Sequence, residues 1–534
     1  AFWVASKKKK LEKIVAALIE TLGLCFRLGA KMAEAIQRAL GYLSVGMSIT
    51  ENVLTTLILA DVGKITFPRY SCRVSGTVFG SSRAFDHFLA AQQLGFVFDA
   101  ALQSRDEEAI RLIGDSAYSS FVSLSLDPDE SLVSDHPFLR RYNPVNRYAS
   151  LVWYSISYVE RSGKYDVAVA RLQSLIEFKV DSRRHGKWFN RLSINLTHLK
   201  DEKGALEVCM RGIKSTDSLD PDRAQLIRRA TRLATKLKTD AELAILAVVP
   251  ADGAQTPSPK ERKIFGRPLD AHRKTGKSSF FIGYDGGSPI KVETLALQSY
   301  KAGGGWCGIH CEGGIARFFF RLLLWDCVFL DVPDAFLTPW QSLPLDFGSA
   351  SFYAARKCEI EARLGELAAM EDALLSEEAI AQFNKHKAEI ISGQLEGSDD
   401  SLPWWANSTA QIGEIAASIG GQVLSGIFRH LVTNTFNGFA GFPDLTLWRA
   451  PRGGPAADSP EAPPAMFVEV KGPRDRLSDA QRGWLDVLRR AGAEVEVLRV
   501  VERRTKQNEG ELEGDYDAYQ IAALEDDEGD GADE

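Results

Sequence analysis

The feature that most constrains the fold is a short apolar segment, Met466-Phe-Val-Glu-Val-Lys471, broken by two charged side chains. Met466, Val468 and Val470 alternate with Phe467, Glu469 and Lys471, which is the two-residue period of a β-strand. Successive side chains on a strand point to opposite faces, so Glu469 and Lys471 share one face. Upstream, Gly441-Phe-Pro-Asp-Leu-Thr-Leu-Trp448 reads as a second strand that opens at Asp444. Between them, Arg449–Ala465 holds five prolines and two glycines. Such a loop can return the chain antiparallel and bring Asp444 across to Glu469. Past Gly472, Ser478 and Gln481 have capping-box spacing, so a helix starts there. Strands alternating with a helix make an α/β unit.

These residue types in this pattern point to phosphodiester chemistry. Two carboxylates can hold a hard divalent cation, Mg2+ or Mn2+, through oxygen. A cation so held polarises a phosphodiester and makes a nearby water more acidic. A lysine beside them can orient that water and offset charge building on the phosphate. Read structurally, the same letters are only an exposed hairpin with an i, i+2 charge pair. Three features favour chemistry. Glu469 and Lys471 interrupt an apolar strand, where unpaired charge is costly. Gly472-Pro-Arg474-Asp-Arg476 then places basic residues for phosphate contact. Gln481 follows, readable equally as a helix cap or as a site residue.

The 534-residue chain is too long for one ordinary core. Residues 11–60 have helical apolar spacing, and Lys7–Lys10 before them reads as a solvated helix start, or else as a targeting or DNA-contacting patch. Residues 139–245 read as paired helices. Within them Gly163–Ala168 and Asp201–Leu206 recur at a 37-residue offset, near that of tetratricopeptide-type hairpins. Tyr70–Val78 reads as a short extended stretch, and residues 250–285 as a Pro/Gly/Ser-rich linker. A nearly all-round apolar helix within residues 305–330 has to be buried.

The formal charge of -7 argues against a DNA binder only until it is located. Residues 525–534 hold seven acids and no base, so the remainder sums to zero and can still carry a basic groove. Seven scattered cysteines do not form a secreted disulfide framework. The longest apolar run, Ile315–Leu330, is interrupted by Arg317, Arg321 and Asp326, so no membrane partner is expected.

Gly441–Trp448, joined to Val468–Leu477 and Gln481, resembles the VRR-Nuc nuclease domain of the Fanconi-associated nuclease family. Further blocks follow in family order: Arg184–Leu192, Gly266–Leu269, Val292–Leu297, Gly308–Gly313, Leu323–Asp326, Pro344–Asp346 and Leu424–Leu431. The resemblance implies a multidomain α/β protein. Its N-terminal half would be largely helical with tetratricopeptide-like repeats, its C-terminal core restriction-endonuclease-like (PD-(D/E)xK). The implied boundaries are a divergent helical region at 1–65, DNA-binding by its position alone, a helical tetratricopeptide-like domain at 66–250, a linker at 251–285, the nuclease at 286–510 and an acidic, disordered tail at 511–534.

The resemblance also implies a metal set of Glu312, Asp444, Glu469 and the backbone carbonyl of Val470, with Lys471 as the catalytic lysine. Taken alone, Glu312 reads first as a charge partner of a helix N-terminus. His310 with Cys307 and Cys311 invites a zinc reading, but no second Cys/His pair follows, so His310 is read as structural or phosphate-facing. DNA contacts are assigned to Lys187, Arg474, Arg476 and Gln481. A 5′-phosphate pocket of the family would fall at Lys187, Asp222, Phe436 and Ala480, where only Lys187 is a cation. The implied function is cleavage of branched, 5′-flap or junction DNA, by endonuclease and 5′→3′ exonuclease action. Interstrand-crosslink repair in the nucleus, alongside repair-protein partners, is implied with it. The alternative is a catalytically silent DNA-junction scaffold whose helical repeats recruit repair proteins.

Overall fold

The computed structural model describes residues 29–43, 45, 53–126, 137–178, 184–215, 220–238, 259–266, 281–283, 289–392, 405–434, 438–449, 465–473 and 475–502. The readings made for Lys7–Lys10, Phe436, Arg474 and the acidic tail lie outside these residues.

Helices α1 (Ala30–Leu43) and α2 (Val53–Asp61) lead into a helical half. It comprises α3 (Ser82–Ser104), α4 (Glu107–Ser125), α5 (Pro144–Arg161), α6 (Tyr165–Glu177), α7 (His185–His198), α8 (Glu202–Lys214) and α9 (Asp220–Leu237). From α4 onward each helix packs on the next. The starts of α6 and α8, Tyr165 and Glu202, repeat the 37-residue offset of the sequence pattern. Ala168 and Ala205 occupy the same place in these helices and are both fully buried. A methyl group at that point lets neighbouring helices close on each other. Leu172, Leu175 and Trp188 fill the space around them, each such side chain contributing about 1.5–3 kcal/mol by leaving water.

The second half is a mixed sheet with helices on both faces. Its elements are β1 (Lys260–Gly266), β2 (Phe281–Ile282), β3 (Pro289–Ile290), α10 (Val292–Gly304), β4 (Trp306–His310), α11 (Gly314–Leu323), α12 (Trp325–Val328), α13 (Ala350–Ala369), α14 (Asp372–Ser392), α15 (Thr409–Ile419), α16 (Gly421–Thr433), β5 (Leu445–Arg449), β6 (Ala465–Lys471), α17 (Asp479–Arg490) and β7 (Glu494–Glu502). The sheet order is β1-β7-β6-β5-β4. β4, β5 and β6 run antiparallel, whereas β6, β7 and β1 are parallel. Every residue of central β6 is buried, as two covered faces require. Leu445, Val468, Val470 and Leu498 pack with Leu295 and Tyr300 on one side. Phe467 and Val497 meet Phe319, Phe428 and Trp484 on the other. The apolar run after Cys311 forms α11 and α12, buried as its composition demands.

Two expected boundaries are corrected. The stretch 251–285 is not simply a linker, because Lys260–Gly266 is the edge strand β1, in parallel register with Glu496–Glu502. Its partner is remote in sequence, and its Lys-Glu-Arg-Lys start hides a strand that needs charge on its open edge. Residues 66–79 do not belong to the helical half alone. Tyr70 stacks on Phe336 with ring centroids 3.8 Å apart. Its hydroxyl donates to the Thr338 and Gln341 carbonyls at 3.0 and 2.9 Å. Tyr70–Val78 is thus irregular chain, not a strand, and its Tyr70 packs on the core of the C-terminal half. Among the described residues no single helix is long and apolar enough to cross a membrane.

Candidate active site

β4, β5 and β6 deliver one group of polar side chains to the ends of three neighbouring strands. Asp444 stands immediately before β5, and continuing the register Leu445↔Val468 sets it opposite Glu469. The N–H groups of Cys311 and Glu312 donate to the Asp444 carbonyl at 3.1 and 3.4 Å. These bonds tie the turn after β4 to the start of β5. In that turn Glu312 and Gly313 both have positive φ, 43° and 83°. For a glutamate this left-handed backbone costs on the order of 1–3 kcal/mol, strain of the kind that collects at functional sites. Gly313 has no substitute here, since a Cβ would stand 2.6 Å from the Phe439 ring.

The turn aims Glu312 back at the strand ends. His310 Nε2 lies 3.5 Å from Glu312 Oε1, and ligand atoms of His310, Glu312 and Asp444 all fall within 4.8 Å of one another. Asp444 Oδ2 accepts the Val470 N–H at 2.8 Å. Val470 therefore meets the site through its backbone while its side chain stays in the core.

Glu469 is 1% exposed and Lys471 7%. Lys471 Nζ sits 2.8 Å from Glu469 Oε1, and Gln481 Nε2 donates to the same oxygen at 2.5 Å. Gln481 also completes the capping box of α17, with its Oε1 accepting the Ser478 N–H at 2.8 Å. Both readings of Gln481, cap and site residue, thus hold in one side chain. Glu469 Oε2 is buried and has no hydrogen-bond partner among the described residues.

Burial, then the Asp444 charge, push the Glu469 carboxyl up to about 7, against the pull of Lys471. Asp444 is also raised, by burial first, opposed by the Val470 N–H and by Lys471 and His310. A buried carboxylate oxygen without a donor, facing a second carboxylate, is costly unless a proton or a cation neutralises it. Carboxylate oxygens and one imidazole suit a divalent cation, so the residues present fit one.

The raised carboxyl also predicts a pH dependence for the metal-free protein. A group whose proton is held more tightly in the folded state stabilises below its unfolded value of 4.5 and loses that contribution as pH rises through about 7. Denaturant unfolding in chelator should therefore show the wild type losing stability relative to Glu469→Gln between these limits. A constant difference across that window refutes the assignment.

His310 belongs to this group although its sequence setting suggested only a structural or phosphate-facing role. No cysteine joins it in the cation-sized cluster of the described residues, and Cys311 Sγ instead meets Thr446 Oγ1 at 3.8 Å. Glu293, in the first turn of α10, also escaped the sequence reading. Its charge bears on Asp444, and its Oε2 is buried without a hydrogen-bond partner among the described residues. The signal for Glu293 lay in Val292–Leu297, which carried the resemblance without being read for chemistry; that for His310 lay in Gly308–Gly313, where only Glu312 was taken as a ligand.

The remaining positions are more dispersed. Arg476 is exposed in the loop before α17. Lys187 is exposed on α7, and Asp222 is buried against Gly186 with the Lys187 charge acting on it. Ala480 lies in the first turn of α17, against Gly441.

Known proteins are similar to this chain in sequence and in fold. Residues 384–502 match the VRR-NUC domain model, and residues 87–234 match the TPR domain model of Fanconi-associated nuclease 1. Glu293, His310 and Glu312 fall outside both spans. The chain is 32% identical over 449 residues to the Fanconi-associated nuclease 1 homolog of Oryza sativa subsp. japonica, covering 84% of this chain and 44% of that protein. The Arabidopsis thaliana homolog is 30% identical over 501 residues, 91% of this chain and 51% of the relative. Human Fanconi-associated nuclease 1 is 30% identical over 461 residues, with 84% and 43% covered. The chain thus spans about half the length of these relatives. The crystal structure of paFAN1 bound to 5′-flap DNA with a 1-nt flap and a gap superposes with a TM-score of 0.61 at 20% identity, covering 89% of this chain and 72% of that one. At that identity the likeness is one of fold. Two family domains in the same order, a matching fold and relatives named alike across plants and animals converge: the chain belongs to the Fanconi-associated nuclease family.

Proposed function

We propose that the chain is a metal-dependent, structure-specific DNA nuclease that cuts 5′-flap and branched duplexes and leaves 5′-phosphate ends. The observation that carries this reading is Glu469: a buried carboxylate with one oxygen free of donors, opposite Asp444 and gripped by Lys471 and Gln481. Family membership and the 5′-flap DNA held by the fold relatives support the substrate class.

Glu312, Asp444, Glu469 and the backbone of Val470, with His310 alongside, would hold Mg2+ or Mn2+. When bound, such a cation supplies Lewis-acid polarisation of the phosphodiester and a more acidic water. The protein's own part is positional. The Val470 N–H fixes one Asp444 oxygen, leaving the other for the site. Glu469 anchors the Lys471 ammonium, which offsets charge gathering on the phosphate. Water adds to phosphorus as the bond to the 3′-oxygen breaks. The departing oxygen takes up a proton, giving a 3′-hydroxyl and a 5′-phosphate. A role in interstrand-crosslink repair in the nucleus, with 5′→3′ trimming, follows from the family reading.

The test is a labelled 5′-flap duplex incubated with the protein in Mg2+ or Mn2+, and in chelator. Cutting that stops in chelator is the expected result. Binding without cutting in either metal would make the chain a junction scaffold.

A further inference from the structure

α17 begins at a meeting point of the two halves. Arg228, on α9 of the helical half, grips Asp479, the first residue of α17, with both guanidinium nitrogens. The resolved bond to Oδ1 is 2.8 Å. Two residues further on, Gln481 uses both ends of its amide: the carbonyl caps Ser478, and the NH2 group holds Glu469. The inner side of this turn is wedged as well. Gly441, at a φ of 85°, lies so close that a Cβ would stand 2.7 Å from the Ala480 carbonyl carbon. The loop that makes this approach reaches Asp444 three residues later. Deeper anchors, Trp484, Leu485 and Leu488, begin a full turn further along. Helix ends open at low free energy when nothing ties them. The tie on the outer side here is Arg228.

We propose that Arg228 is a positioning residue for the nuclease reaction: by clasping Asp479 it holds the first turn of α17, and through Gln481 it sets the orientation of Glu469. The inference rests on the nuclease reading above. A two-pronged guanidinium–carboxylate contact fixes direction as well as distance. As a source of stability the pair counts for little, since the side chains are 52% and 26% exposed. Its consequence is therefore expected in the rate. Arg232 follows one turn along α9, with its Nε 3.4 Å from the Arg228 carbonyl, and Arg482 follows Asp479 on α17. Their presence raises a competing role for Arg228, direct contact with DNA phosphate, which the test separates.

The experiment measures kcat, KM and thermal midpoint on a 5′-flap duplex in Mg2+ for the wild type, Arg228→Ala, Asp479→Asn and the double variant. Each single variant should lose kcat by roughly tenfold, the scale on which groups supporting a site's ligands act, with KM and thermal midpoint unchanged. The double variant should be no slower than the slower single, because both remove one link. Wild-type kcat in either single variant, multiplying losses in the double, or a loss confined to KM overturns the inference while leaving the nuclease reading intact. A wild-type chain that cuts no DNA overturns both.

Discussion

Asp444→Asn, Glu469→Gln and Lys471→Ala are each expected to slow cleavage of a 5′-flap duplex by about 100- to 1,000-fold, with duplex binding retained. Asparagine keeps the shape of Asp444 and can still accept the Val470 N–H, so the strand ends stay joined while the charge is lost. Glutamine at 469 removes the carboxyl that burial and Asp444 push up to about 7. Its carbonyl can still accept from Lys471 and Gln481, while an NH2 group replaces the second oxygen, so the negative charge is lost and the packing is kept. Alanine at 471 leaves Glu469 with the Gln481 donor alone and removes the positive charge from the phosphate. Binding depends on contacts spread along the duplex backbone, so it should survive each change. Rates within a few-fold of wild type in both Mg2+ and Mn2+ would sink the assignment of these residues.

Much of this centre is legible in the sequence because its parts lie on local patterns. Alternation alone puts Glu469 and Lys471 on one face of a strand. The antiparallel pairing of β5 with β6, which the proline-rich sequence between them suggests, sets Asp444 opposite Glu469, and Ser478 with Gln481 marks the start of α17. What alternation cannot show is which distant segment completes the group. His310 and Glu312 arrive through β4, whose pairing with β5 spans more than a hundred residues of chain. The positive φ at Glu312, which turns its carboxylate back toward the site, has no signature of its own beyond the two glycines that follow.

The same limit explains β1 and Tyr70. A Lys-Glu-Arg-Lys start resembles solvent-exposed linker until β7 supplies its partner. There the Arg499 guanidinium meets Glu261 at 3.0 and 3.1 Å across the two strands. Tyr70 sits in a segment without periodicity, and only the pocket formed by Phe329, Phe336 and Gln341 gives it a place.

Asp346→Ala should cost the fold about 3–5 kcal/mol, because it strands a buried guanidinium. Arg356 is 0% exposed and Asp346 1%. Their nitrogens and oxygens meet at 2.5 and 3.2 Å. Arg356 also donates to the Phe352 carbonyl at 3.3 Å and lies over the Phe352 ring at 4.5 Å. Its Nε has no hydrogen-bond partner among the described residues, so the ion pair carries most of the compensation for a charge taken out of water. The backbone at Arg356 departs from helical values within α13, at φ -126° and ψ 17°, and the pair sits at that kink. Removing the carboxylate leaves the charge with neither solvent nor counter-ion. Removing both partners removes the problem: Asp346→Leu with Arg356→Met should be closer to wild type in urea unfolding than Asp346→Ala alone. An Asp346→Ala protein within about 1 kcal/mol of wild type would place the pair among exposed ion pairs of small effect, contrary to its burial.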